Sequence, residues 1–138
     1  MDVMTENKAV PQLRFNGFEI DWDKDILKTR IVSIDSGWSP QCEEYPASNE
    51  EWGVLKTTAV VWEGFNPIAN KKLPKKLNYR TDLQVIEGDI LITRAGPTSR
   101  VGVVVHVNKV SLKLMLSDKL IRLKVNDITS SLFLSILL

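Results

Sequence analysis

Cys42 and His106 are the single cysteine and the single histidine of the 138-residue chain. A thiol beside an imidazole is the least apparatus a covalent hydrolase needs, so this pair is the sharpest catalytic candidate. The surroundings argue against it. His106 stands in the apolar run Val103-Val104-Val105-His106-Val107, where an imidazole is more often a satisfied core residue than a base. Cys42 reads as a loop or packing thiol. One histidine and one cysteine also exclude a zinc cluster of the usual make-up. Gly96-Pro97-Thr98-Ser99-Arg100 lacks both the second glycine and the Lys-Ser/Thr of a phosphate-binding loop.

Two further enzyme motifs fail on inspection. Asn66-Pro67-Ile68-Ala69 opens like the Asn-Pro-Pro-aromatic motif of adenine methyltransferases, without the second proline or the aromatic that stacks on a flipped base. Gly88-Asp89-Ile90-Leu91 followed by Val101-Gly102-Val103-Val104 is loosely similar to papain-like amidases of the cell-wall type, an alternative that would use Cys42 and His106. Those enzymes carry the base just before the Val-Gly pair, and here that place is Arg100, which cannot take a proton.

Residues suited to reading a polyanion are more plentiful. Glu87-Gly88-Asp89-Ile90-Leu91-Ile92-Thr93-Arg94 reads as a tight turn and a buried strand that delivers Arg94 to a rim, beside the Gly/Pro loop that follows. Alternation places Ile90 and Ile92 on one face of that strand, Leu91 and Thr93 on the other. Lys56-Thr57-Thr58 supplies a cation and two hydroxyls for phosphates or base edges. Asn70-Lys71-Lys72 sets an amide beside two cations, and Gln41 offers a second amide; such amides can pair with adenine, and lysine neutralises phosphate. Ser39, Arg100, Lys119 and Arg122 form a second rank of candidates. No residue is assigned a catalytic or metal-binding role. For Trp38, anchoring of its loop outweighs stacking on a base.

Something must hold those residues up. The chain is long enough for one domain with a real core. Its apolar content is 43% and its charged content 25%, ordinary for a globular chain. No apolar run approaches the roughly 20 residues that span a bilayer. The first twelve residues form a polar tail without the apolar core of a signal peptide, and a lone cysteine suits a reducing cytoplasm. The net charge of +1 conceals an asymmetry: residues 1–65 carry 6 Lys/Arg and 12 Asp/Glu, residues 66–124 carry 12 and 4. The basic half is where a polyanion would sit. Solvated faces that happen to cluster would give the same numbers, and the acidic half would suit a DNA mimic if its face proved the larger.

The pattern predicts an α+β, β-rich fold. It consists of a twisted, mostly antiparallel sheet or partial barrel of about six short strands, with long polar loops and short helices at the ends. Strands are expected over 30–34, 53–62, 90–94 and 100–107, with a hairpin of 112–116 and 120–125. Polar loops fill 37–52 and 63–81. Leu13 to Trp22 should pin the tail onto the domain, and Asp21, Asp23 and Asp25 precede a short helical turn. Asp127 or Thr129 is the expected cap of a final helix. The apolar end Phe133-Leu134-Ser135-Ile136-Leu137-Leu138 should pack on the domain or on another chain.

The same residues carry a resemblance. Val10-Pro11-Gln12-Leu13-Arg14-Phe15 with Phe18 and Trp22 looks like the amino-terminal opening of type I restriction-modification specificity subunits. Gly37-Trp38-Ser39-Pro40-Gln41-Cys42, Trp52 through Val60, Asn70-Lys71, Gly88-Asp89-Ile90-Leu91, and Leu116-Ser117-Asp118-Lys119-Leu120 with Arg122 follow in the order of one group of their target recognition domains. The resemblance implies a 13–138 recognition domain, incomplete at its carboxy end, that reads one half of a split site in double-stranded DNA. It implies no chemistry and no cofactor in this chain. Partner methylation subunits would hold S-adenosylmethionine, and a restriction subunit would work with ATP and magnesium, in the cytoplasm of a bacterium or archaeon. No membrane partner is implied.

Overall fold

A computed structural model describes residues 11–138. It contains nine short strands: β1 (Ile31–Ser36), β2 (Trp52–Leu55), β3 (Val60–Val61), β4 (Gly64–Phe65), β5 (Asn70–Lys72), β6 (Ile90–Thr93), β7 (Val104–His106), β8 (Lys113–Met115) and β9 (Leu120–Val125). One α-helix, α1 (Ser131–Leu137), closes the chain, and single 3-10 turns lie at Leu27–Thr29, Thr57–Ala59, Thr81–Leu83 and Thr98–Arg100. The fold is β-rich α+β, and among the described residues no barrel closes.

β6 is the strand around which the rest is built. In the antiparallel four-stranded sheet, ordered β1-β9-β6-β7, it pairs with β9 on one side and β7 on the other. Its two faces feed two cores. Leu91 joins the larger one, with Val85, Val103, Val105, Leu114 and Leu116 among its members. Ile90 joins the smaller, with Leu123 and Leu134. Four apolar or β-branched residues in a row can be buried on both faces, so the Ile-Leu-Ile-Thr run makes a central strand.

A second sheet, ordered β5-β2-β8, holds the other wall of the larger core. β2 pairs with β5 antiparallel and with β8 parallel. The expected hairpin of 112–116 and 120–125 therefore does not form: β8 goes to this sheet and β9 to the other. Ser117-Asp118 turns the chain between sheets, not between neighbouring strands.

Other boundaries shift for local reasons. The strand expected over 53–62 breaks at Lys56, where a 3-10 turn starts the short β3–β4 ribbon. The polar loop expected over 63–81 contains β4 and β5. Residues 100–107 give a 3-10 turn and only three strand residues, because Thr93 accepts the Gly102 N–H and bends the chain before β7 begins. The cap of α1 is Ser130, whose side chain accepts from the Phe133 N–H, rather than Asp127 or Thr129. The Leu13–Trp22 segment reaches the domain through Trp22 against Phe133, ring centroids 5.8 Å apart. Leu13 and Phe15 stay exposed.

Candidate nucleic-acid interface

Arg94 leaves the end of β6 with its side chain in solvent, and its N–H donates to the Lys119 carbonyl at 3.1 Å. Thr93, one residue earlier, is buried and works on the loop behind it. Its hydroxyl donates to the Arg100 carbonyl at 2.5 Å and accepts the Val103 N–H at 3.0 Å. That one side chain fixes where residues 94–102 cross the end of the sheet. Thr57, Thr93, Ala95, Pro97 and Arg100 line one small cleft, so the Lys56-Thr57-Thr58 segment lies against the Arg94–Arg100 loop.

The next loop joins the same wall. Gly37 and Trp38 donate their N–H groups to the Ser117 and Leu116 carbonyls, both at 3.1 Å. Ser39 donates to the Asp118 carboxylate at 2.5 Å and accepts the Asp118 N–H at 3.2 Å. Ser39 thus holds the turn from which Lys119 projects. Further on, Glu43 donates to the Lys72 carbonyl at 3.0 Å. Gln41, exposed, sits where this loop passes from the Asp118-Lys119 turn to β5.

A continuous path of contacts therefore connects Ser39, Lys119, Arg94, Arg100, Thr57 and Lys56. Lys56, Arg94, Arg100 and Lys119 are exposed, and none has a side-chain hydrogen bond or ion pair among the described residues. Four uncompensated cations on one rim make a field that favours a polyanion. Lys71 lies at its border, 3.5 Å from Glu44. Lys72 is tied to Glu51, whose carboxyl is pulled down to about 2 by the Lys72 hydrogen bond first and by Ser48 second.

Two of the sequence candidates turn inward. Asn70 is buried; its Oδ1 accepts the Ala47 N–H at 2.9 Å and its Nδ2 donates to the Pro67 and Ile68 carbonyls at 2.9 and 3.3 Å. Its amide is spent on three backbone groups, and Gly53 opposite leaves the room it occupies. Arg122 is also buried, pairing with Asp35 at 2.6 Å and donating to the Gln84 and Asp82 carbonyls, both at 2.9 Å. Burial works against its charge, but the hydrogen bond and charge of Asp35, then Asp89 and Asp82, hold its pKa above the usual arginine value. Neither side chain is available to DNA. Thr58 is half-buried beside Thr57.

The wall carries a further resident that the sequence reading passed over. Asp118 is an acid on a basic rim, and its work is to anchor Ser39. Its signal in the sequence was its place in the Leu116-Ser117-Asp118-Lys119-Leu120 motif, directly before Lys119.

Over 121 residues, 86% of its length, the chain is 45% identical to the Type I restriction enzyme EcoEI specificity subunit of Escherichia coli. The chain is homologous to part of a type I restriction specificity subunit. It spans about a fifth of that relative, 20% of its length. No family model matches the sequence. The resemblance carried by the ordered motifs is thus borne out along most of the specificity-subunit-like chain.

The cysteine amidase is not supported. His106 has both ring nitrogens occupied, Nδ1 by Asn108 Oδ1 at 3.1 Å and Nε2 by Ser131 Oγ at 2.8 Å. Cys42 packs on the larger core, within the field of the Lys71 charge. Burial, the dominant influence, raises its thiol pKa over the opposing pull of Lys71, the reverse of what an activated nucleophile needs. No helix of the described residues is long and apolar enough to cross a membrane. Among the same residues no group of His, Cys, Asp and Glu could hold a metal ion.

Proposed function

We propose that residues 13–138 form a DNA target recognition domain, reading double-stranded DNA through the rim of Lys56, Thr57, Arg94, Arg100 and Lys119. Ser39 and Gln41 border the readout surface, and Lys71 and Thr58 flank it. The observation that carries this reading is the convergence of four cations, from three loops and unpaired among the described residues, in a chain homologous to part of a specificity subunit. Lysines there would neutralise phosphate, and the two arginines have the fork that matches guanine edges. Thr57 offers a hydroxyl between them.

In this reading the chain breaks no bond and binds no cofactor. Methylation, with S-adenosylmethionine, and cleavage, with ATP and magnesium, belong to methylation and restriction subunits that it directs to the site, in a bacterial or archaeal cytoplasm. Selection from a random duplex pool tests the proposal. Sequencing of the bound fraction should show enrichment of a short motif, lost in an Arg94→Ala/Arg100→Ala variant. Binding without enrichment, or enrichment that survives the double substitution, contradicts it.

A further inference from the structure

A rim that only neutralised phosphate would carry no carboxylate, yet Asp118 stands exposed on it, directly before Lys119. The Arg94 N–H donates to the Lys119 carbonyl at 3.1 Å, so two of the rim cations leave the fold at the Asp118 turn. An exposed acid in such company has cations within reach of an ion pair. Asp118 forms none among the described residues.

Hydroxyls hold it instead. Its Oδ1 accepts from the Ser39 hydroxyl at 2.5 Å, and its N–H donates back to the same oxygen at 3.2 Å. Its carbonyl accepts from the Ser36 hydroxyl at 3.2 Å. Behind it, the Ser117 carbonyl accepts the Gly37 N–H at 3.1 Å and the Leu120 N–H at 3.3 Å. Backbone and side chain are thus both fixed, and by neutral donors, which leave the carboxylate charge uncancelled. The second oxygen, Oδ2, has no hydrogen-bond partner among the described residues.

A fixed, uncancelled carboxylate on a DNA-reading rim is selective about what it meets. Against a phosphate it is a like charge, and such a juxtaposition costs affinity. An ionised carboxylate accepts hydrogen bonds and donates none. In the major groove guanine and thymine present acceptors to it, and adenine sets its amino donor beside the N7 acceptor. Cytosine presents the N4 amino group alone, and that is the base edge a lone acceptor fits. The neighbouring cations draw the duplex in whatever its sequence. The acid among them tells one base pair from another.

We infer that Asp118 is a specificity-determining residue that accepts a hydrogen bond from a cytosine N4 amino group through Oδ2, with Ser39 as the positioning residue that aims it. The inference rests on the DNA reading above and adds to it the chemical group that is read. Selection from a random duplex pool, with the full chain and with Asp118→Asn, tests it. Asparagine keeps the oxygen that Ser39 holds and turns an amide donor outward. The motif of the unsubstituted chain should hold one position as cytosine. In Asp118→Asn guanine or thymine should replace it there, with the other positions unchanged. A second probe changes the DNA instead: 2-pyrimidinone, which lacks the amino group, in place of that cytosine in the selected duplex. It should weaken the unsubstituted chain by about tenfold and leave Asp118→Ala nearly unaffected. A motif that Asp118→Asn leaves unchanged overturns the inference and spares the DNA reading. So does a motif relaxed at every position, which would make Asp118 a turn anchor alone, or equal weakening of both proteins by the pyrimidinone. No motif for the unsubstituted chain overturns the inference and the DNA reading together.

Discussion

Arg122 and Arg94 are the same residue type with opposite duties. Arg94 has an exposed guanidinium and no partner among the described residues, whereas Arg122 is enclosed by Asp35, Asp89 and two carbonyls. Removing Arg122 leaves the Gln84 and Asp82 carbonyls and Asp35 without their donor, and leaves buried Asp89 with Lys124 alone for counter-charge among the described residues. Breaking such a pair costs about 3–5 kcal/mol. Arg122→Met should therefore lower the urea midpoint sharply, while Arg94→Ala should leave it within error. Equal midpoints for the two variants would contradict their assigned roles. Glu51 gives a pH signature at the same scale. Its folded carboxyl sits at about 2, below the ordinary glutamate value. Its contribution to stability is therefore present above the ordinary carboxylate range and is lost as pH falls toward 2. Carbon-detected titration should place Glu51 near that value and, in Lys72→Ala, raise it part of the way to normal, the two Ser48 hydrogen bonds remaining. A normal midpoint in the unsubstituted chain would remove the Lys72–Glu51 contact from the account.

At the scale of elements, two positions decide whether the wall is assembled. A Cβ on Gly37 would stand 1.8 Å from the Leu116 carbonyl oxygen, so Gly37→Ala should push the 37–43 loop away from the Asp118-Lys119 turn. Amide shifts spread over 37–43 and 116–120, with several kcal/mol of lost stability, are the expected result. Shifts confined to residue 37 would contradict the close approach. Ser130→Ala should cost about 1 kcal/mol through the lost cap, read in the unfolding midpoint. β6 was legible in the sequence because Ile-Leu-Ile-Thr suits burial on both faces whatever surrounds it. β5 was not, since Asn-Lys-Lys is strand-like only through its pairing with β2. The supposed hairpin failed because alternation in 112–116 and 120–125 specifies two strands but not which neighbours they take. Asn70 and Arg122 were misplaced for a related reason: the donors that read base edges are the same donors that satisfy buried carbonyls and carboxylates. Arg94, Lys56 and Lys119 were legible because a long cation at a turn has nowhere to go but solvent.

At the scale of the whole molecule two surfaces stand apart. The cationic rim lies at the ends of β2 and β6, where the loops meet. The apolar face lies over β1 and α1, on the side of the four-stranded sheet that looks away from the larger core. The charge asymmetry between the halves of the sequence finds its place here. The basic half supplies Arg94, Arg100 and Lys119, and the acidic half supplies many of the partners that hold structural cations, such as Asp35 for Arg122 and Glu51 for Lys72. A polyanion should displace counterions in proportion to the cations it meets. The most direct measurement is the salt dependence of the affinity of the full chain for duplex DNA, compared among the unsubstituted protein, Lys56→Ala, Arg94→Ala, Lys119→Ala and Lys76→Ala. Each of the three rim substitutions should reduce the magnitude of the slope by about one, and Lys76→Ala should not change it. A slope unaltered by all three rim substitutions would contradict the assignment of this rim to DNA.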